Sequence, residues 1–184
     1  MAQPEIQNKT PFAFDPLYMN DEEGRPMVVP IVKASFSIEK YRLVFPPDNQ
    51  TPVNVSGEYR GDPETSSYKY EPEIVFFKPS TDVVLIGSAR INQSATTEIY
   101  VGFQVGPIKK VVRVVGNRVW EKHLGIITMT DPEPFETIPL VYENAYGGWD
   151  RSRGGPNTHS FDSRNPVGSG YRGKATRFEE GILL

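Results

Sequence analysis

Cysteine is absent from the 184 residues, and histidine occurs only as His123 and His159. Without Cys there is no disulfide framework, no thiolate metal site and no cysteine nucleophile. Two histidines do not furnish a His-rich zinc site, so no metal or cofactor is expected. A surplus of positive charge is missing too: 20 Lys and Arg stand against 23 Asp and Glu, a net charge of -3. That is not the profile of a general nucleic-acid binder. No apolar run approaches the roughly 18 residues that a helical membrane span needs. The opening residues, MAQPEIQNKTPF, carry neither a basic n-region nor an apolar h-region, so no secretory signal peptide is read there. The expectation is a cytoplasmic protein without a membrane span or a nucleic-acid partner. In that compartment the sequon Asn8-Lys9-Thr10 has no meaning.

Uninterrupted windows are also scarce. With 17 Pro and 16 Gly spread along the chain, few stretches reach the 10–12 residues of an average helix. Alternation of period two recurs instead. In Val28–Ile38 the apolar Val28, Val32, Phe36 and Ile38 alternate with Lys33, Ser35 and Ser37, while Pro30 marks an edge or bulge. In Thr97–Val105, Ile99, Val101, Phe103 and Val105 face one way, and Glu98, Tyr100 and Gln104 the other. Further candidate strands are Ile74–Phe77, Val83–Ile91, Ile108–Val115, Val119–Trp120 and Gly125–Met129. Gly106-Pro107 separates two of these runs, and Gly116-Asn117 suits a tight hairpin turn. The predicted class is all-β with little helix, mainly antiparallel, as a sandwich or open barrel. Length predicts one domain, 1–184, divided into a β-rich core over 1–146 and a loop-rich extension over 147–184.

The composition turns at Gly147. From there to Gly173 the chain is rich in Gly, Ser, Asn and Arg and nearly free of aliphatic residues. This reads as a long irregular Gly/Arg-rich loop. Arg151, Arg153, Arg164, Arg172, Lys174 and Arg177 face only Asp150 and Asp162 between positions 150 and 177. The plain reading is a solvated loop with scattered charges; the functional one is a basic docking surface on an acidic protein. Trp149 opens this stretch behind two glycines, and Tyr171 lies beside Arg172. Arg and large aromatics supply most interface hot spots, which makes Trp149, Arg151, Arg153, Tyr171 and Arg172 the candidate partner-binding residues.

Catalytic motifs do not assemble. Gly168-Ser169-Gly170-Tyr171-Arg172-Gly173 matches G-x-G-x-x-G literally. It follows Asn165-Pro166 rather than a hydrophobic strand and precedes no crossover helix, so the match is fortuitous. Ser160 and Asp162 flank His159, yet neighbours along a loop do not converge as a triad must, and no G-x-S-x-G elbow exists. His159 reads as a solvated loop histidine and His123 as a strand-end surface residue. Asp82 and Glu143 sit in strand-like apolar contexts, where a carboxylate more often accepts hydrogen bonds or pairs with Arg or Lys than performs catalysis. Lys33, Lys78, Asp82, Arg118 and Glu143 are therefore expected in paired, partly buried contacts that brace strand ends.

Taken in order, the residues resemble a known family. They are Asn8-x-Thr10-Pro11-Phe12, Asp21…Gly24, Lys33-Ala34-x-Phe36, and Tyr59…Gly61-x-Pro63 with Ser66-Ser67. Then come Lys78-Pro79-x-Thr81-Asp82-Val83, Gly116-x-Arg118-x-Trp120, Tyr142-Glu143-x-Ala145-Tyr146-Gly147-Gly148 and Asn165-Pro166-Val167-Gly168-x-Gly170. Together they resemble domain-of-unknown-function family 2169, an accessory family associated with bacterial type VI secretion. Members commonly have Phe where Tyr146 stands and continue past the equivalent of Leu184. The resemblance implies a non-enzymatic adaptor or chaperone that helps load a toxic effector onto the secretion spike, through the spike protein or its tip. It also marks Lys33, Lys78, Asp82, Arg118, Trp120, Glu143, Gly147, Gly148 and Asn165 as motif positions of structural character. Two other readings compete: a hydrolase-like enzyme or toxin domain using the Glu143/Asp82/His159 region, and a carbohydrate- or envelope-binding module working through exposed aromatics.

Overall fold

The computed structural model describes residues 5–75, 77–92, 95–152 and 155–173. The fold is all-β and mainly antiparallel, as the alternation predicts, with two short 3-10 turns as the helical content among the described residues. Its strands pair as two-stranded ladders among the described residues and do not close into a barrel. Two compact units emerge, Met1–Arg60 with Tyr68–Thr81, and Gly61–Ser67 with Asp82–Leu184.

In the first unit, β1 (Ala13–Asn20) and β2 (Pro26–Lys33) form a hairpin in register from Ala13↔Lys33 to Asn20↔Pro26. Pro16 and Pro30 oppose each other, so neither strand donates a ladder bond at that rung. Asp21 organises the turn: Oδ1 accepts the N–H groups of Glu23 and Arg25 at 3.0 and 2.8 Å, and Oδ2 accepts Arg25 Nε. β3 (Ser37–Glu39) and β4 (Arg42–Val44) make a second hairpin. Phe45 packs edge-on to Phe12, with ring centroids 5.4 Å apart, and tilted against Phe36 at 5.6 Å. β5 (Glu58–Tyr59) pairs with β6 (Tyr68–Tyr70), where Tyr59 stacks on Tyr68 at 4.0 Å. Lys33 crosses to Glu73 at 2.7 Å and donates to the Pro52 carbonyl. Burial pushes the Glu73 carboxyl upward, but the Asn54 N–H and Lys33 outweigh it and hold the group below its ordinary range.

The expected strand Val28–Ile38 is interrupted at 34–36. Ser35 leaves the ladder because the Gln50 carboxamide takes both of its backbone groups: Oε1 accepts the N–H at 2.7 Å and Nε2 donates to the carbonyl at 3.0 Å. A side chain fifteen residues away replaces the neighbouring strand.

In the second unit, β7 (Ser88–Arg90) pairs with β12 (Thr137–Pro139). β8 (Glu98–Val105) and β9 (Ile108–Val115) form an eight-rung hairpin closed by Gly106-Pro107, where Gly106 has φ 54°. β10 (Trp120–His123) and β11 (Ile126–Met129) turn at Leu124-Gly125, with φ 48° and 86°. Ala89 and Val114 are the buried apolar residues among those described. Of the expected strand Val83–Ile91, only Ser88–Arg90 finds a partner, and 83–87 run outside any ladder among the described residues. Ile74–Phe77 likewise yields no strand at 74, 75 or 77; Phe76 lies outside the described residues.

The Gly116-Asn117 pair is not a hairpin turn. Gly116 donates to the Thr97 carbonyl and Asn117 accepts from Glu133, so the chain passes extended from β9 toward β10. The glycine is needed for another reason, since a Cβ at Gly116 would collide with the Glu133 carbonyl. The remaining ladders are short: β13 (Tyr146–Gly147) runs parallel to β16 (Ser169–Gly170), and β14 (Trp149–Asp150) antiparallel to β15 (Ser160–Phe161).

Candidate functional site

The segments YENAYGG and NPVGSG, 142–148 and 165–170, fold onto each other. Asn165 is the hub. Its Nδ2 donates to the carbonyls of Tyr142 at 2.8 Å and of Ala145 and Tyr146 at 3.3 Å each. Its own carbonyl accepts Gly148 N–H at 2.8 Å and Gly168 N–H at 3.2 Å. Ser169 then donates to Ala145, Tyr171 to Gly147, and Asp162 to Gly148. Gly147 and Gly148, with φ 155° and 88°, are buried where a Cβ would run into the backbone of Asn165 or Gly168. The motif is a backbone clasp, and its residue types are those that let two chains approach without side chains between them.

Glu143 extends the clasp. Its carboxylate accepts the Ser67 N–H at 2.7 Å and the Ser67 hydroxyl at 2.8 and 3.0 Å, while its carbonyl accepts Ser169 Oγ. Trp120 Nε1 donates to Gly170 at 3.2 Å, and the Arg172 guanidinium lies 5.4 Å from the Trp120 ring centroid. Arg118 Nε donates to the Thr130 carbonyl. Lys78 and Asp82 stand exposed, which corrects the partly buried setting expected of them: the 78–87 stretch joins no ladder among the described residues.

From this clasp the β14–β15 ladder carries a surface. Trp149 and Phe161 are opposed, so both side chains leave on one face. Their rings stack at 4.5 Å with an interplanar angle of 27°, and Arg151 places its guanidinium 5.6 Å from the Trp149 centroid. Trp149 is 46% and Phe161 44% exposed. The carboxylates take the opposite course. Asp150 is buried and accepts Ser152 N–H, Ser152 Oγ and Gly173 N–H. Asp162 is buried and accepts Arg164 through N–H, Nε and Nη2, leaving that guanidinium largely in solvent. Both acids are thus turned inward while Arg151 and Arg164 face out.

Of the residues proposed for binding, Trp149 and Arg151 are brought together. Tyr171 sits with Tyr146 at 6.5 Å, and Arg172 with Trp120. Arg153 lies outside the described residues. Phe161 was not anticipated, because only the cross-strand register joins it to Trp149. His123 is exposed at the end of β10, 2.9 Å from Glu121. His159 is half-buried rather than solvated.

The Asp162–Arg164 pair gives the segment an acid response. The side-chain bond from Arg164 and its backbone N–H hold the Asp162 carboxyl below its ordinary value. A depressed folded-state pKa adds stability above the unfolded value, and that stability is lost as pH falls through the folded one. Trp149 fluorescence, read in a Trp120→Phe background, is expected to change below about pH 4. In Asp162→Asn this transition should vanish. Persistence of the same transition would assign it to another group.

Among the described residues no three His, Asp or Glu side chains gather as metal ligands, and no helix is long and apolar enough to cross a membrane. Comparisons with curated proteins and with solved structures return no match. A family model described as an uncharacterized protein conserved in bacteria, DUF2169, matches residues 23–183, from β2 onward, and so includes the clasp and the Trp149 surface. The chain belongs to that family.

Proposed function

We propose that this chain is a non-enzymatic adaptor, acting in the cytoplasm as a chaperone that helps load a secreted effector onto a type VI secretion spike, and that the surface around Trp149 docks the effector, the spike protein or its tip. One observation carries the docking surface: an exposed Trp149–Phe161 stack beside Arg151, with the neighbouring carboxylates turned inward. Exposed aromatic and Arg side chains on a backbone held by a clasp are well suited to an interface hot spot. Outward guanidinium groups on a chain of net charge -3 steer an acidic partner to this face. The secretion role rests on the resemblance of the ordered motifs. A sugar-binding platform is the weaker reading, because Trp149 and Phe161 stack on each other instead of lying side by side.

The test is a triple variant, Trp149→Ala with Arg151→Ala and Arg153→Ala. Affinity purification from the native bacterium, with identification of co-purified proteins, is expected to show effector or spike capture reduced at least about tenfold. The melting temperature should stay within about 2 °C of wild type, since the Trp149 and Arg151 side chains are exposed. Undiminished capture by the folded variant would overturn the assignment.

A further inference from the structure

We propose that the outer edge of β9, over Ile108–Arg113, accepts a third strand from a partner protein, an extended segment with two adjacent acidic side chains flanked by β-branched apolar ones. The β8–β9 ladder has no third strand among the described residues. Its two strands differ in cover. β8 alternates between half-buried and exposed up to Gln104, whereas every residue of β9 from Ile108 to Arg113 is exposed. Ile108, Val111 and Val112 remain 44%, 54% and 40% exposed. An isolated two-stranded ladder is marginal in water, and a free edge of unpaired N–H and C=O groups is a template for another strand.

Charge identifies the occupant. Arg113 is engaged across the ladder by Glu98 at 2.5 Å. Lys109 and Lys110 have no carboxylate partner among the described residues. Adjacent strand residues project to opposite faces, so these lysines place one positive charge on each side of the same edge. Two adjacent acids on an incoming antiparallel strand would meet both, with apolar residues opposite Ile108, Val111 and Val112. A second copy of β9 is disfavoured in that register, because it would set lysine against lysine. This edge uses none of the residues of the Trp149 surface, and it stands or falls separately.

The experiment adds a fluorescein-labelled peptide, Thr-Val-Val-Glu-Glu-Val-Thr, or its lysine counterpart Thr-Val-Val-Lys-Lys-Val-Thr, to the full chain and follows anisotropy and amide hydrogen exchange. The acidic peptide is expected to bind at least about tenfold more tightly than the lysine peptide. Amides within Ile108–Arg113 should gain protection on binding. The K109E/K110E variant should reverse the preference, and K109Q/K110Q should abolish it without reversal, which keeps the test open if the reversed variant misfolds. Equal affinity for the two peptides, no binding, or protection confined to other segments would overturn the proposal. So would β9 amides already protected in the free chain in a concentration-dependent way, which would assign the edge to self-association.

Discussion

Gly148→Ala is expected to lower the melting temperature by about 6–12 °C, and Gly125→Ala by roughly half as much. The two glycines share a positive φ, 88° and 86°, so each carries the cost of placing an L residue in that region. That cost is about 1–2 kcal/mol. Their surroundings separate them. A Cβ at Gly125 meets nothing within 4 Å, at the open tip of the β10–β11 hairpin, whereas at Gly148 it meets the Gly168 carbonyl. That carbonyl cannot retreat cheaply, because Gly168 N–H is bonded to Asn165 and Ser169 N–H to Ala145. Relief would require opening the clasp, so strain and lost hydrogen bonds add to about 3 kcal/mol. Thermal unfolding followed by circular dichroism checks the pair. Equal shifts would mean that the two motif segments separate freely and that the clasp does not hold the Trp149 surface.

The contrast between these glycines also marks what could be read from the sequence. Alternation located β8 almost to the residue, because one of its faces is covered and period two is the trace of that cover, whereas β9 was legible as a strand-like run set off by Gly106-Pro107. The all-β class followed from the density of proline and glycine. Interruptions caused by distant side chains were not legible: nothing near Ser35 shows that Gln50 will take both of its backbone groups. Nor does composition distinguish a glycine that turns from one that makes room. Gly116 makes room for Glu133, and the turn next along the chain falls at Leu124-Gly125. In the site, Trp149 and Arg151 were legible as an aromatic beside a cation. Phe161 was not, since its partnership depends on the register of the β14–β15 bridge. The polarity of Asp150 and Asp162 gave no sign of their burial, because that depends on the N–H groups the backbone turns toward them.

Asn165→Asp is expected to destabilise the chain by about 2–3 kcal/mol at neutral pH, more than Asn165→Ala at about 1–2 kcal/mol. This order is the reverse of what packing alone would produce, since Asp leaves no void and Ala does. The difference lies in the donor. Nδ2 serves three carbonyls, those of Tyr142, Ala145 and Tyr146. Ala removes the donor, whereas a carboxylate also points a negative oxygen at three acceptors. That arrangement disfavours the charged form, so the introduced carboxyl has its folded-state pKa raised above the ordinary aspartate value. With the folded pKa above the unfolded one, stability relative to wild type is lost as pH rises through that interval and regained as pH falls below it. The protonated carboxyl can again donate to one of the three carbonyls. The stability gap between Asn165→Asp and wild type should therefore narrow toward pH 4–5, while that of Asn165→Ala stays constant. Unfolding by urea at a series of pH values measures both gaps. If Ala proves the more damaging substitution, or if the Asp gap is independent of pH, the Asn165 carboxamide contributes by filling space, and the clasp is held by its backbone bonds alone.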